Sequence, residues 1–175
     1  MSVHFSSQKN DWGTPASFFD ELSQRFQGFD WDVCASKDNA KCKNYWTKED
    51  DALSKTWKGY CWMNPPYGRQ IGHWVKKAYE SAQSGDATVV CLIPSRTDTR
   101  WWHEFVMRAD TVWFIKGRLK FQGAQNAAPF PSALAIFGKY PNYQWGWRSY
   151  PNGVVANLEN RYDVPGIDLP IRAKE

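Results

Sequence analysis

From residue 59 to 63 the chain reads Gly-Tyr-Cys-Trp-Met, and from 87 to 93 it runs Ala-Thr-Val-Val-Cys-Leu-Ile. Apolar runs of this length, free of charge, predict strands buried on both faces. Pro65-Pro66 ends the first and Pro94 closes the second. Between them, residues 71–84 place Trp74, Val75, Ala78, Tyr79 and Ala82 on one helical stripe, with Gly85 as the stop. Upstream, Thr14-Pro15 has the form of an N-cap followed by proline at the first helical position. Phe18, Phe19, Leu22 and Phe26 then recur at helical spacing through residue 27, and Gly28 ends the helix. Residues 29–33 alternate as a short strand, 36–43 are polar (helix or loop), and Tyr45-Trp46 suits a brief second strand. Thr97 or Asp98 is placed to cap a helix through Trp101-Trp102 to Met107. Strands follow at 111–115 and 132–137, with a glycine-containing, basic loop between them. Strand and helix alternate, so the expected class is α/β, with a mostly parallel sheet covered by helices on both faces. Ligands of such sheets sit beyond the C-terminal strand ends. The Asn64 loop, Cys34-Ala35 after the first strand and Ser95-Arg96 after Pro94 belong there.

At 175 residues and 20.3 kDa the chain suits one domain with a single core. We expect residues 1–140 to form it, with recognition loops integrated, and 141–175 to be an extended tail packed on the same domain. The net charge of +4 permits nucleic acid without requiring it. Aromatics change the picture more: they make up 17% of the chain, with eleven Trp, enough for a core and for stacking surfaces as well. Cys34, Cys42, Cys61 and Cys91 form no Cys-x-x-Cys pair, and His4, His73 and His103 are scattered. Reduced thiols and no metal are therefore expected. The first eight residues are polar and no apolar run nears 18 residues, which predicts a soluble, cytoplasmic protein (host cytoplasm if viral).

The candidate chemistry lies at Asn64-Pro65-Pro66-Tyr67. Each proline fixes its own φ and keeps its predecessor from helical angles, so a stiff loop should stand at the end of a central strand. It suits a planar ligand carrying an exocyclic amine. The Asn64 side-chain oxygen and the Pro65 carbonyl can each accept one amine hydrogen, while Tyr67 offers a face for stacking.

This tetrapeptide resembles the Asp/Asn-Pro-Pro-Tyr motif of amino-methyltransferases that use S-adenosylmethionine. Three upstream elements extend the likeness: Trp12-Gly13-Thr14-Pro15, Asp32-Val33-Cys34-Ala35, and Asp51-Ala52-Leu53. Together with Thr97-Asp98-Thr99-Arg100-Trp101-Trp102 and Ala128-Pro129-Phe130-Pro131-Ser132, the pattern resembles the small bacteriophage-type (Dam-like) DNA adenine methyltransferases over roughly residues 10–138. The resemblance implies a Rossmann-like methyltransferase domain with S-adenosylmethionine as cofactor. Its implied contacts are Trp12, Thr14, Pro15, Asp32, Cys34, Ala35, Asp50, Asp51, Leu53 and Asn64. Asp51 would accept from the cofactor's adenine amine, with Asp50 as the fallback. The family's version of the first strand end is glycine-rich; here Cys34, Ala35 and Ser36 are the small residues.

The implied reaction is methyl transfer to the 6-amino group of an adenine flipped from double-stranded DNA, at a cost of a few kcal/mol. Stacking on Tyr67 returns ~1–3 kcal/mol of it. Asn64, Pro65, Pro66 and Tyr67 form the catalytic loop. Candidate DNA contacts are Arg69, Arg96, Arg100, Lys116, Arg118 and Lys120, the last three alternating as if on one face of a strand. Trp101 or Trp102 could wedge into the vacated stack or pack in the core. Such motifs also serve enzymes acting on RNA bases or protein glutamine, and an aromatic-rich chain could be a non-catalytic DNA-binding module. The recognition site, the oligomeric state and any part in restriction-modification are not written in the residues.

Overall fold

The computed structural model describes residues 11–139 and the backbone of Gly153–Asn157. Seven strands form one sheet: β1 (Trp31–Asp32), β2 (Asn44–Tyr45), β3 (Gly59–Met63), β4 (Ala87–Pro94), β5 (Thr111–Ile115), β6 (Ser132–Phe137) and β7 (Gly153–Asn157). Their order across it is β2-β1-β3-β4-β6-β5-β7. Three helices accompany them: α1 (Ala16–Arg25), α2 (Ile71–Gln83) and α3 (Arg100–Glu104).

The sheet is mixed, which corrects the expectation of a mostly parallel one. Pairings from β2 through β1 and β3 to β4 are parallel, whereas β4–β6, β6–β5 and β5–β7 are antiparallel. The departure has a local cause. The step from β4 through α3 to β5 leaves one strand position open, and the chain returns into it as β6 without a crossover helix. A return without a crossover must be antiparallel. Strands β1 to β5 thus share one direction, and their C-terminal ends lie at one edge of the sheet. The start of β6 lies there too, because that strand runs the other way.

Register and ring contacts place the helices on both faces. Phe19 and Phe26 of the α1 segment approach Trp62 at 5.4 Å and Trp113 at 6.0 Å, while Tyr79 of α2 approaches Phe137 at 6.2 Å and Trp102 of α3 approaches Phe114 at 6.4 Å. Trp62 and Phe137 belong to opposite faces, since side chains alternate along each strand and the register carries the faces across. The eight residues of β4 are all buried, as their uninterrupted apolar sequence requires. Trp101 and Trp102 pack inward: Trp102 is buried, and a Cβ at Gly72 would lie 3.3 Å from that of Trp101.

Several boundaries differ from the sequence reading. Helix α1 stops at Arg25, because Gln27 already takes left-handed angles before Gly28. Strand β1 covers two residues instead of five, while residues 36–43 take the loop alternative of helix or loop. Thr99, not Thr97 or Asp98, stands at the N-cap position of α3, which gives way to a 3-10 turn at Val106–Arg108. Residues 116–121 are loop and not strand. The tail expected from residue 141 lies outside the described residues apart from β7, which extends the sheet beside β5.

Candidate active site

From β1 the chain steps outward to β2 and then returns past β1 to β3, so the strand order reverses between β1 and β3. Loops leaving a reversal point part in opposite directions and open a crevice at the C-terminal edge. A cleft of about 1080 Å³ occupies it. Trp12, Thr14, Asp32, Cys34, Ala35, Asp50, Asp51, Leu53, Asn64, Pro65 and Pro66 all line this cleft, although they span more than fifty positions of sequence. Pro15 and Tyr67 do not.

Asn64 is held rigidly. Its Nδ2 donates to the Trp12 carbonyl and, at 3.0 Å, to Thr14 Oγ1. A carbonyl can only accept, so the Trp12 contact fixes which end of the amide carries the nitrogen. Oδ1 is left buried with no hydrogen-bond partner among the described residues. An acceptor stripped of water and left unpaired costs about 1–3 kcal/mol. Thr14 accordingly does not cap α1: Pro15 stands at the N-cap position, without a side-chain cap, and the Thr14 hydroxyl serves Asn64.

Tyr67 departs from the expected open stacking face. It is 8% exposed, its hydroxyl donates to the Leu92 carbonyl at 3.1 Å, and its ring meets Phe121 and Phe130 at 6.0 and 5.5 Å. Burial pushes its phenol well above the ordinary range. Phe121 and Phe130 also meet Trp12, at 5.3 and 5.2 Å. The aromatic underside of the 116–131 loop therefore covers this part of the site.

The acidic candidates separate by their hydrogen bonds. Asp32 is 3% exposed, and its oxygens accept the Cys34 and Lys41 amides at 3.2 and 3.0 Å. Burial raises its pKa to about 6 against the pull of those amides. Asp50 accepts the Thr47 amide and hydroxyl, each at 2.8 Å, and these bonds hold its pKa down. Asp51 is exposed, sits at φ 49° and ψ 67°, and offers a carboxylate with no partner among the described residues. Left-handed angles at a residue other than glycine are uncommon and turn up disproportionately at functional sites. The geometry thus leaves the Asp51 carboxylate open at the cleft and gives Asp50 a local capping task.

Three groups of residues were not anticipated. Trp46 lines the cleft and stacks on Trp31 at 4.5 Å and 25°. Its place at the end of a strand was the available signal. Lys37, Lys41 and Lys48 line the cleft as well. Ser95, just beyond β4, and Ser132, at the start of β6, carry buried hydroxyls without a hydrogen-bond partner among the described residues, at the same sheet edge. No periodicity marks those two, because burial of a hydroxyl depends on what folds over it.

All four cysteines are free. Burial is the main force keeping their thiols protonated, with Cys42 and Cys61 pushed up to about 12 and Cys34 beyond that. Among the described residues no cluster of His, Cys, Asp or Glu could hold a metal ion, and no helix is long and apolar enough to cross a membrane.

Arg69 follows the end of β3, Arg96 that of β4, and Lys116, Arg118 and Lys120 that of β5. These five exposed cations emerge at the edge that carries Asn64 and have no ion-pair partner among the described residues. Arg100 differs: its Nε pairs with Glu104 at 2.6 Å. The three cations of the β5–β6 loop belong to a coil and not to one strand face.

The chain is 36% identical over 118 residues to a DNA N-6-adenine-methyltransferase of Haemophilus phage HP1, a match covering 66% of this chain and 68% of that protein. It is 30% identical over 110 residues to the DNA N-6-adenine-methyltransferase of Escherichia phage T1, covering 62% of this chain and 45% of the T1 protein. A family model described as DNA N-6-adenine-methyltransferase (Dam) matches residues 2–137. With more than three quarters of its length matched, the chain belongs to the Dam family of DNA N-6-adenine-methyltransferases.

Proposed function

We propose that the cleft at the β1/β3 reversal holds S-adenosylmethionine and that the Asn64 loop presents to it the amino group of an adenine turned out of duplex DNA. Family membership makes the chain a DNA adenine-N6 methyltransferase. The observation that carries the assignment of the site is Asn64 Oδ1, buried, fixed in orientation and without a partner. An incoming amine satisfies it, and the Pro65 carbonyl accepts the second hydrogen. The two acceptors then draw the nitrogen lone pair out of conjugation with the ring and aim it. In-line positioning of this kind is the main contribution the protein makes.

The donor set fits the cofactor. Asp51 supplies a free carboxylate, Trp46 a broad apolar surface, and Lys37, Lys41 and Lys48 positive charge for an anionic end. Asp32 shapes the wall by holding the Cys34 and Lys41 amides. When bound, S-adenosylmethionine supplies a methyl group already activated by its positive sulfur. Tyr67 stacks on the turned-out base once the rings of Phe121 and Phe130 move aside.

The test is transfer of labelled methyl from S-adenosylmethionine to unmethylated duplex DNA, followed by digestion to nucleosides and mass analysis. We expect 6-methyladenine. Label found in RNA or protein instead would overturn the DNA reading, and failure to bind the cofactor would return the chain to a DNA-binding module.

A further inference from the structure

The connection from β5 to β6 spans residues 116–131, far longer than the ~2–5 residues that join hairpin strands. It is nevertheless firmly held. The Ala128 amide donates to the Leu119 carbonyl at 2.8 Å, closing the base of the loop, and the Gln122 amide donates to the Gly13 carbonyl at 2.8 Å. Gly13 lies between Trp12 and Thr14, the residues that anchor Asn64. Phe121, beside Gln122, packs on Trp12 and Tyr67. The tip of the loop is thus fixed to the segment that fixes Asn64.

That tip exposes Gln125 and Asn126, whose amides have no hydrogen-bond partner among the described residues. The exposed cations Lys116, Arg118 and Lys120 precede it. Cations placed on phosphates set position without reading sequence. Planar amides do read it, because Gln or Asn can bond both N6 and N7 of an adenine in the major groove.

We propose that this tip reads the base pairs flanking the target adenine, with Gln125 and Asn126 making base-edge contacts while the loop cations hold phosphates. The inference rests on the DNA-methylating role of the site and adds the residues that choose where it acts. Unmethylated genomic DNA is treated with the wild-type protein, a Gln125→Ala/Asn126→Ala double variant and Lys116→Ala, and methylated positions are read by sequencing. The ratio of kcat/KM on the preferred duplex to that on duplexes with one flanking pair changed is measured alongside.

The double variant is expected to methylate additional sites and to lose about tenfold or more of that ratio. Its cofactor affinity and the salt dependence of its DNA binding should stay unchanged. Lys116→Ala is expected to weaken all duplexes alike and leave the ratio where it was. A double variant with the wild-type site distribution and ratio would overturn the proposal, as would a wild-type protein with no sequence preference. A wild-type protein forming no 6-methyladenine would instead sink the reading beneath it.

Discussion

At the scale of single residues, function follows from which polar atoms are already satisfied. Asn64 keeps Nδ2 engaged and Oδ1 free, so Asn64→Ala removes an acceptor and leaves the cleft standing. Methyl transfer should fall at least about a hundredfold, as when one preorganised hydrogen-bonding group is deleted. Cofactor affinity, measured by calorimetry, should change little, and substantial retained turnover would refute the amine-holding role. Asp51→Ala should weaken S-adenosylmethionine binding about tenfold or more, the range for a hydrogen bond to a charged group. Asp51→Asn, which tolerates the same left-handed backbone, separates that loss from backbone strain. Asp50→Ala should disturb the Thr47 turn instead. Asp32 gives a pH signature. Its folded pKa of about 6 lies above the ordinary 3.8 of an unfolded chain, so the protonated form favours folding. That contribution is complete below pH ~4 and is lost as pH rises through about 6. Wild type should therefore lose up to roughly 3 kcal/mol relative to Asp32→Asn between pH 4 and 8, at about 1.4 kcal/mol per pKa unit. Denaturation curves of both proteins across that window would decide it; parallel curves would mean that burial does not raise the Asp32 carboxyl.

Among the elements, β3 carries the greatest consequence, since its C-terminal end aims Asn64. Its entry is as constrained as its exit. Gly59 has φ +70°, its amide donates to the Asp86 carbonyl at 2.9 Å, and a Cβ there would collide with the Asp30 carboxylate. That carboxylate is fixed by accepting the Tyr60 amide at 2.8 Å. Gly59→Ala should cost at least about 2 kcal/mol, combining left-handed strain with displacement of Asp30. Urea titration would show it, and a loss below 0.5 kcal/mol would mean the strand start adapts freely. Strand β3 was legible to the residue, and β4 to within one residue at Pro94, because apolar runs bounded by proline or glycine admit few alternatives. Strand β1 was not. Only two of its residues pair with both neighbours, and the rest of the alternating stretch is shaped by the Asp32 and Asp30 carboxylates, which no periodicity encodes.

For the whole molecule, a net charge of +4 says little, whereas its distribution says much. Five exposed cations with no ion-pair partner among the described residues emerge at the C-terminal edge of the sheet, while Arg100 is paired with Glu104. Replacing Lys116, Arg118 and Lys120 together by Ala should lower the slope of log K against log salt for duplex DNA by about 2 to 3, at ~0.9 per phosphate contact. Arg100→Ala should barely move it. An unchanged slope in the triple variant would take the β5–β6 loop off the DNA.

By itself, the sequence determined the local chemistry. Pro65-Pro66 stiffens the loop after β3, the apolar runs bury β3 and β4, and the ordered motifs from Trp12 to Tyr67 carry the resemblance from which the family was expected. These are legible because each depends on near neighbours or on a covalent constraint. The tertiary structure decided what depends on distant partners. It inserted β6 between β4 and β5, and turned Thr14 from a helix cap into an anchor for Asn64. It also covered Tyr67 with Phe121 and Phe130. Whether a polar atom is free or a ring face open is settled by what packs against it, and that neighbour is often fifty residues away.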